Sequence, residues 1–329
     1  MKRLHLALIM MMLFLVTACS NKEEAEKEAA VSMDRDKNQI ISEYRETVKN
    51  SKYIIHALGG MDGEASYINS IDCLKKTYEA GYRLFEADIS FTSDDVLVLA
   101  HSGENNVWSE NDWKLRLGQT YPFEGISEDG MSPEEESFLK EKGYDIKKHL
   151  CSYDTFMSFK IQGKYKATSF RELLDFMEQH TDMYVMVDAG HRSYEDTLKY
   201  YRSIVSEASG REQLLDRLIA GGQTTEMVKA AREAYDFPLI NLYYDNDEKR
   251  EEEIYKPEDF INYCLENDIT SFSSAKEVYT EEVAAKLENK DIISYIFTVN
   301  NKSEAEALRG YGADIIGTDH LWEELEGDK

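Results

Sequence analysis

Positive charge is in deficit in this sequence: 38 lysines and arginines stand against 64 aspartates and glutamates, for a net charge of −26. A surface of that sign excludes nucleic acid and an anionic bilayer as electrostatic partners. It suits a soluble, exported protein and offers many adventitious weak sites to divalent cations. Cysteine is sparse as well. Besides Cys19 there are only Cys73, Cys151 and Cys264, which lack metal-type spacing and are too odd in number to pair completely within one chain. Buried free thiols are the expectation. No Gly-x-Gly-x-x-Gly follows the first candidate strand, so an open dinucleotide-binding sheet has no support. The apolar run Leu4 to Val16 is too short to span a bilayer comfortably.

That run has another reading. Lys2 and Arg3 precede it and Val16-Thr17-Ala18-Cys19 closes it, an order that resembles a bacterial lipoprotein signal. Residues 1–18 are then expected to be removed and Cys19 to carry the lipid. Loss of Lys2 and Arg3 leaves a charge of −28. Residues 19–39, rich in Lys, Glu, Ala and Asp without an apolar stripe, read as a charged tether. The expected location is the cell envelope, with the membrane a partner through the anchor.

From residue 40 the chain reads as a folded domain, opening with a short helix, Ile40 to Val48. Strand and helix patterns then alternate. Strands are predicted at Tyr53–Ala57, Arg83–Ile89, Tyr184–Asp188, Leu215–Ala220, Pro238–Tyr243, Ile269–Ser273, Ser294–Val299 and Asp314–Gly317. Helices are predicted at Ser70–Ala80, Phe170–Gln179, Tyr194–Ser206, Thr225–Tyr235, Pro257–Glu266, Thr280–Leu287 and Lys302–Tyr311, with Asn69, Ser169, Ser193 and Ser303 as start signals. Eight strands with intervening helices give an α/β fold, a (β/α)₈ TIM barrel over residues 40–329. Residues 102–167 break the rhythm. Trp108, Trp113, Tyr121, Phe123, Phe138, Tyr144, Phe156 and Phe159 argue for a small packed insertion over the barrel top rather than disorder.

One stretch, Tyr82 to His101, concentrates the chemistry. Glu86 and Asp88 are two apart in a strand, so both face one way. Leu84, Phe85, Ala87 and Ile89 make that strand a buried one, where two like charges call for a cation or a proton. A second strand, Val96 to Ala100, delivers His101. Active sites of such barrels lie at the C-terminal strand ends. There the sequence also places His56 and Asp188, and further round Asn300 and Asp319, which read as loop-capping residues. Three carboxylates form the hard oxygen shell preferred by Ca²⁺ or Mg²⁺, and two histidines beside a bound phosphate can serve as general acid and base.

The set resembles the glycerophosphodiester phosphodiesterase family, whose barrel is similar to that of phosphatidylinositol-specific phospholipase C. The resemblance rests on His56 with Gly59 and Gly60, Asn69-Ser70, Ala80-Gly81, Glu86-Ala87-Asp88-Ile89, Thr92, Asp94 and Val98 to His101. Later come Phe297-Thr298-Val299-Asn300 and the run Gly312 to Asp319. It implies that His56 and His101 are the acid–base pair and that Glu86, Asp88 and Asp188 are ligands of a divalent cation. It further implies a small glycerophosphodiester or phospholipid head group as substrate and sn-glycerol 3-phosphate and an alcohol as products. Three positions depart from the pattern. Ala57 stands where the family usually has arginine, Gly190 where it has a basic residue, and Ser102 where aspartate is common. His191, Arg192 and Arg116 are candidates to replace the missing phosphate clamp. A phosphatidylinositol-phospholipase-like lyase and a non-catalytic binding lipoprotein that keeps the barrel are the competing readings.

Overall fold

Short apolar strands and amphipathic helices wind, in this computed structural model, into a closed barrel. The structure describes residues 36–61, 68–101, 132–141, 143, 150–161, 163–190, 192–246 and 254–321. The chain divides into a unit of residues 1–42 and one of residues 43–329, the boundary falling inside the first helix. In chain order the elements begin with α1 (Lys37–Asn50), β1 (Tyr53–Ile55), α2 (Ile71–Glu79), β2 (Leu84–Phe91) and β3 (Leu97–Leu99). There follow α3 (Pro133–Glu141), α4 (Tyr153–Ser158), β4 (Lys160–Ile161), β5 (Tyr165–Lys166), α5 (Phe170–Gln179), β6 (Tyr184–Asp188), α6 (Tyr194–Glu207) and β7 (Leu218–Gly222). The chain ends through α7 (Thr225–Ala234), β8 (Leu239–Tyr244), α8 (Pro257–Glu266), β9 (Ser271–Ala275), α9 (Glu281–Leu287), β10 (Ile293–Phe297), α10 (Lys302–Gly310) and β11 (Ile315–Thr318).

The parallel strands run β1-β11-β10-β9-β8-β7-β6-β2, and β2 pairs back onto β1. That closure makes the predicted (β/α)₈ barrel and leaves it no free edge. β3 is an antiparallel appendage on β2. Alternation along each strand divides the core. Ile55, Phe85, Val185, Leu218, Ile240, Phe272, Ile296 and Ile316 join the buried layer shared with the helices, while their strand neighbours face the barrel interior. Most of the helices are started by their own sequence. Ser70, Ser169, Ser193, Thr224, Thr280 and Asn301 each accept a hydrogen bond from the first turn of the helix that follows, the last serving where Ser303 was the expected signal.

Three boundaries move for physical reasons. β1 stops at Ile55 because the Ala57 amide leaves the ladder to bond a carboxylate of β2. β7 begins at Leu218 rather than Leu215, because a 3₁₀ segment, Glu212–Arg217, intervenes. Arg217 pins that segment by donating to the carbonyls of Met177, His180 and Met183. Asn69 does not cap α2; its side chain is committed to Asp88, and Ser70 takes the cap.

Of the predicted insertion, Trp108, Trp113, Tyr121, Phe123 and Tyr144 lie outside the described residues. Its described part packs beside β3, where Phe156, Phe159, Leu139, Leu150 and Cys151 bury against Val98 and Ala100. Cys73, Cys151 and Cys264 are buried free thiols, as expected.

Candidate active site

β2 supplies the acids because its register leaves them nowhere else to point. All of Leu84–Phe91 is buried; Phe85, Ala87 and Ile89 face the helices, and Glu86 and Asp88 face the interior. In the parallel ladder Asp88 lies beside Asp188 of β6. Carboxylate oxygens of Glu86, Asp88 and Asp188 consequently fall within 4.8 Å of one another. Asp188 does not serve as the cap of α6. The structure gives that cap to Ser193, while Asp188 accepts from its own loop, at Gly190 N–H, 2.7 Å away.

His56 follows β1 directly. Ala57 and Leu58 after it adopt positive φ values of 47° and 61°, a region that costs a residue with a Cβ about 1 kcal/mol or more. That turn aims the Ala57 amide at Glu86 Oε2, 2.7 Å away, and sets His56 Nε2 3.9 Å from the same oxygen. His56 Nδ1 lies 2.8 Å from Asp319 Oδ1. Asp319 is held in turn by Asn300, whose Nδ2 donates to Oδ2 and whose Oδ1 accepts from the Asp319 amide. Asn300 caps the loop as expected, its Oδ1 accepting from Thr318 Oγ1 and the Asp319 amide, while Asp319 departs from the loop-cap reading by bonding His56. Together they orient His56, and they can do so because β11 closes the barrel beside β1.

His101, half-buried, follows β3 and lines the same cavity as the acids. A cavity of about 260 Å³ opens between the histidines and the carboxylates, floored by inward residues of β6 to β10. Among the described residues no lysine or arginine lines it. Arg192, a candidate clamp, is buried instead, stacked over Tyr200 and donating to the Ile89 carbonyl. His191, Arg116 and Ser102 lie outside the described residues.

The electrostatics follow from burial. Burial, with the Asp88 charge next, pushes Glu86 well above the usual carboxylate range. Burial and Asp188 raise Asp88, against the opposing influence of His101 and Asn69. For His56 burial works against the charged form, but the Asp319 hydrogen bond and the charges of Glu86, Asp319 and Asp88 prevail and lift it to about 9. Asp319, although buried, is held low by its bonds to His56 and Asn300. A divalent cation fits these residues on one further observation. Glu86 Oε1 is buried and has no hydrogen-bond partner among the described residues, and an ionised oxygen in that state is stabilised by a cation beside it.

A pH dependence follows. The folded pKa of His56 exceeds its unfolded value, so its contribution is complete below about 6.5 and is lost as pH rises through about 9, on the order of 3 kcal/mol in all. The raised Glu86 and Asp88 act in the same sense, since the folded state holds their protons longer. In EDTA the melting temperature is expected to fall as pH rises from 6 to 9.5, and saturating Ca²⁺ or Mg²⁺ to flatten that slope. Thermal melts across the range check this; an EDTA profile that rises with pH would contradict it.

Comparisons agree with the architecture. No curated protein matches the sequence. Among solved structures, a glycerophosphodiester phosphodiesterase from Parabacteroides distasonis is 18% identical with a TM-score of 0.58, covering 84% of this chain and 96% of its own. An Oleispira antarctica phosphodiesterase, in complex with the product sn-glycerol-3-phosphate, is 12% identical with a TM-score of 0.56, covering 85% and 97%. The glycerophosphodiester phosphodiesterase of Thermotoga maritima is 15% identical with a TM-score of 0.52, covering 84% and 98%. At these identities the likeness shows the shared barrel. Sequence carries the assignment further: a model of the Glycerophosphoryl diester phosphodiesterase family matches residues 62–322, from before α2 to the end of the barrel, and the chain belongs to that family of enzymes.

Proposed function

We propose that this chain is a divalent-cation-dependent hydrolase of glycerophosphodiesters, releasing sn-glycerol 3-phosphate and an alcohol. One observation carries the reading: two histidines from separate strand ends line one cavity with a carboxylate trio, one of whose buried oxygens has no partner among the described residues. Glu86, Asp88 and Asp188 would hold Ca²⁺ or Mg²⁺. Such a cation, when bound, would neutralise the phosphate and favour charge build-up on its oxygens.

The chain's own residues do the rest. Asp319 accepts from His56 Nδ1, which keeps a proton on that atom and turns Nε2 toward the cavity. His101 faces the same space from the end of β3. One of the pair takes the proton of the attacking hydroxyl or water, and the other returns one to the departing alcohol oxygen. The same proposal holds the enzyme at the cell envelope through a lipid on Cys19, on the strength of the basic, apolar and Ala18-Cys19 order of the N-terminus. Among the described residues no helix is long and apolar enough to cross a membrane.

Turnover of glycerophosphocholine and glycerophosphoinositol in Ca²⁺, Mg²⁺ or EDTA tests the proposal. Phosphomonoester release with cation and none in EDTA is expected, with His101→Ala slower by about 10²–10⁴-fold. Absence of cation-dependent turnover on both diesters, with His101→Ala indistinguishable from wild type, would refute it. Accumulation of a cyclic phosphate would move the reading to a lyase.

A further inference from the structure

A phosphodiester in this cavity presents two non-bridging oxygens, and no lysine or arginine among the described lining residues reaches for them. The neutral donors nearby are mostly spent. Asn241 Nδ2 donates to Ser273 Oγ, and Asn241 Oδ1 accepts from Ser271 Oγ. Asn69 is committed to Asp88. The Tyr201 hydroxyl donates to the Gly221 carbonyl and the Tyr200 hydroxyl to that of Asp188.

Tyr295 differs. It lies on β10, is 3% exposed and lines the cavity, yet no described residue accepts from its hydroxyl. Its ring is fixed from two sides. Phe297 packs against it at a centroid distance of 5.3 Å. Gly317 on the adjacent strand β11 leaves the ring its room, since a Cβ there would stand 2.7 Å from the Tyr295 hydroxyl oxygen. The phenol therefore lies across Gly317, toward β1 and the acids. Burial foremost, then the charges of Glu86, Asp188, Asp319 and Asp88, raise its pKa well above the ordinary value, so it remains a neutral donor. The hydroxyl opens on the cavity, where a ligand oxygen can accept from it.

We propose that the Tyr295 hydroxyl, held in place by Gly317 and Phe297, is the neutral donor that grips a non-bridging phosphoryl oxygen in this site. The inference rests on the function proposed above and names the residue that holds its substrate.

The test uses the full chain loaded with Ca²⁺, comparing wild type with Tyr295→Phe. Three quantities are read: kcat/KM on glycerophosphocholine, the Kd of sn-glycerol 3-phosphate by calorimetry, and the melting temperature with Ca²⁺ affinity. Expected are a fall of about 10–100-fold in kcat/KM and about tenfold or more in sn-glycerol 3-phosphate affinity, with melting temperature and Ca²⁺ affinity unchanged. Equal kcat/KM and equal product affinity would overturn the proposal, as would a loss that tracks lowered Ca²⁺ affinity or melting temperature. If wild type binds sn-glycerol 3-phosphate but turns over no diester, the hydrolase reading fails while the affinity ratio still judges Tyr295. No binding by wild type overturns both.

Discussion

Glu86→Gln is expected to lower cation-dependent turnover by about 10³-fold or more while making the metal-free protein more stable. The two effects share one cause. Glu86 is 3% exposed, its charge stands against those of Asp88 and Asp188, and its Oε1 has no partner among the described residues. An amide keeps the acceptor that bonds the Ala57 amide, removes a buried charge, and loses a ligand for a hard cation. In EDTA the variant should therefore melt above wild type. With saturating Ca²⁺ the order should reverse, because the cation stabilises only the chain that binds it tightly. Melts with and without cation check the prediction. A variant less stable than wild type in EDTA would mean that the carboxylate serves the fold rather than a cation.

Asp319→Asn has the second largest expected effect, about 10²–10⁴-fold in kcat. Asp319 accepts from His56 Nδ1 and from Asn300 Nδ2. An asparagine there can accept only on its amide oxygen. If that oxygen keeps Asn300, the amide nitrogen faces His56 Nδ1 and drives the imidazole proton to Nε2, the atom turned toward the cavity. The His56 pKa should also fall from about 9, because a hydrogen bond to a carboxylate and that carboxylate's charge are both lost. The pH–rate profile would record this as an acidward displacement of one limb. A uniform loss at every pH, with a lowered melting temperature, would assign Asp319 to folding alone.

Much of the barrel was legible because its signals are local. The helices Phe170–Gln179 and Pro257–Glu266 were bounded correctly, the first by the Ser169–Glu172 capping box and the second by proline in its first turn. Strand periodicity put Glu86 and Asp88 on one face. What was not legible depends on closure. Asp319 meets His56 across 263 residues of sequence, and its own surroundings read as a loop. The available signal was topological: in a closed barrel the segment after β11 lies beside the segment after β1, so polar residues there meet at one rim. Nothing in the sequence singled out Tyr295, because the place of its hydroxyl follows only once Gly317 is seen beneath the ring. Arg192 failed as a clamp for the converse reason. Its chain position next to the site says nothing of the Tyr200 ring that covers it.

The central claim, that these acids and histidines form a cation-dependent diesterase, is tested most directly by phosphorus NMR of the full chain with glycerophosphocholine. With Ca²⁺ or Mg²⁺ the diester resonance is predicted to convert to that of sn-glycerol 3-phosphate, and EDTA or His56→Ala to stop the conversion. A diester signal unchanged in every cation, or one that converts equally in EDTA, would contradict the account.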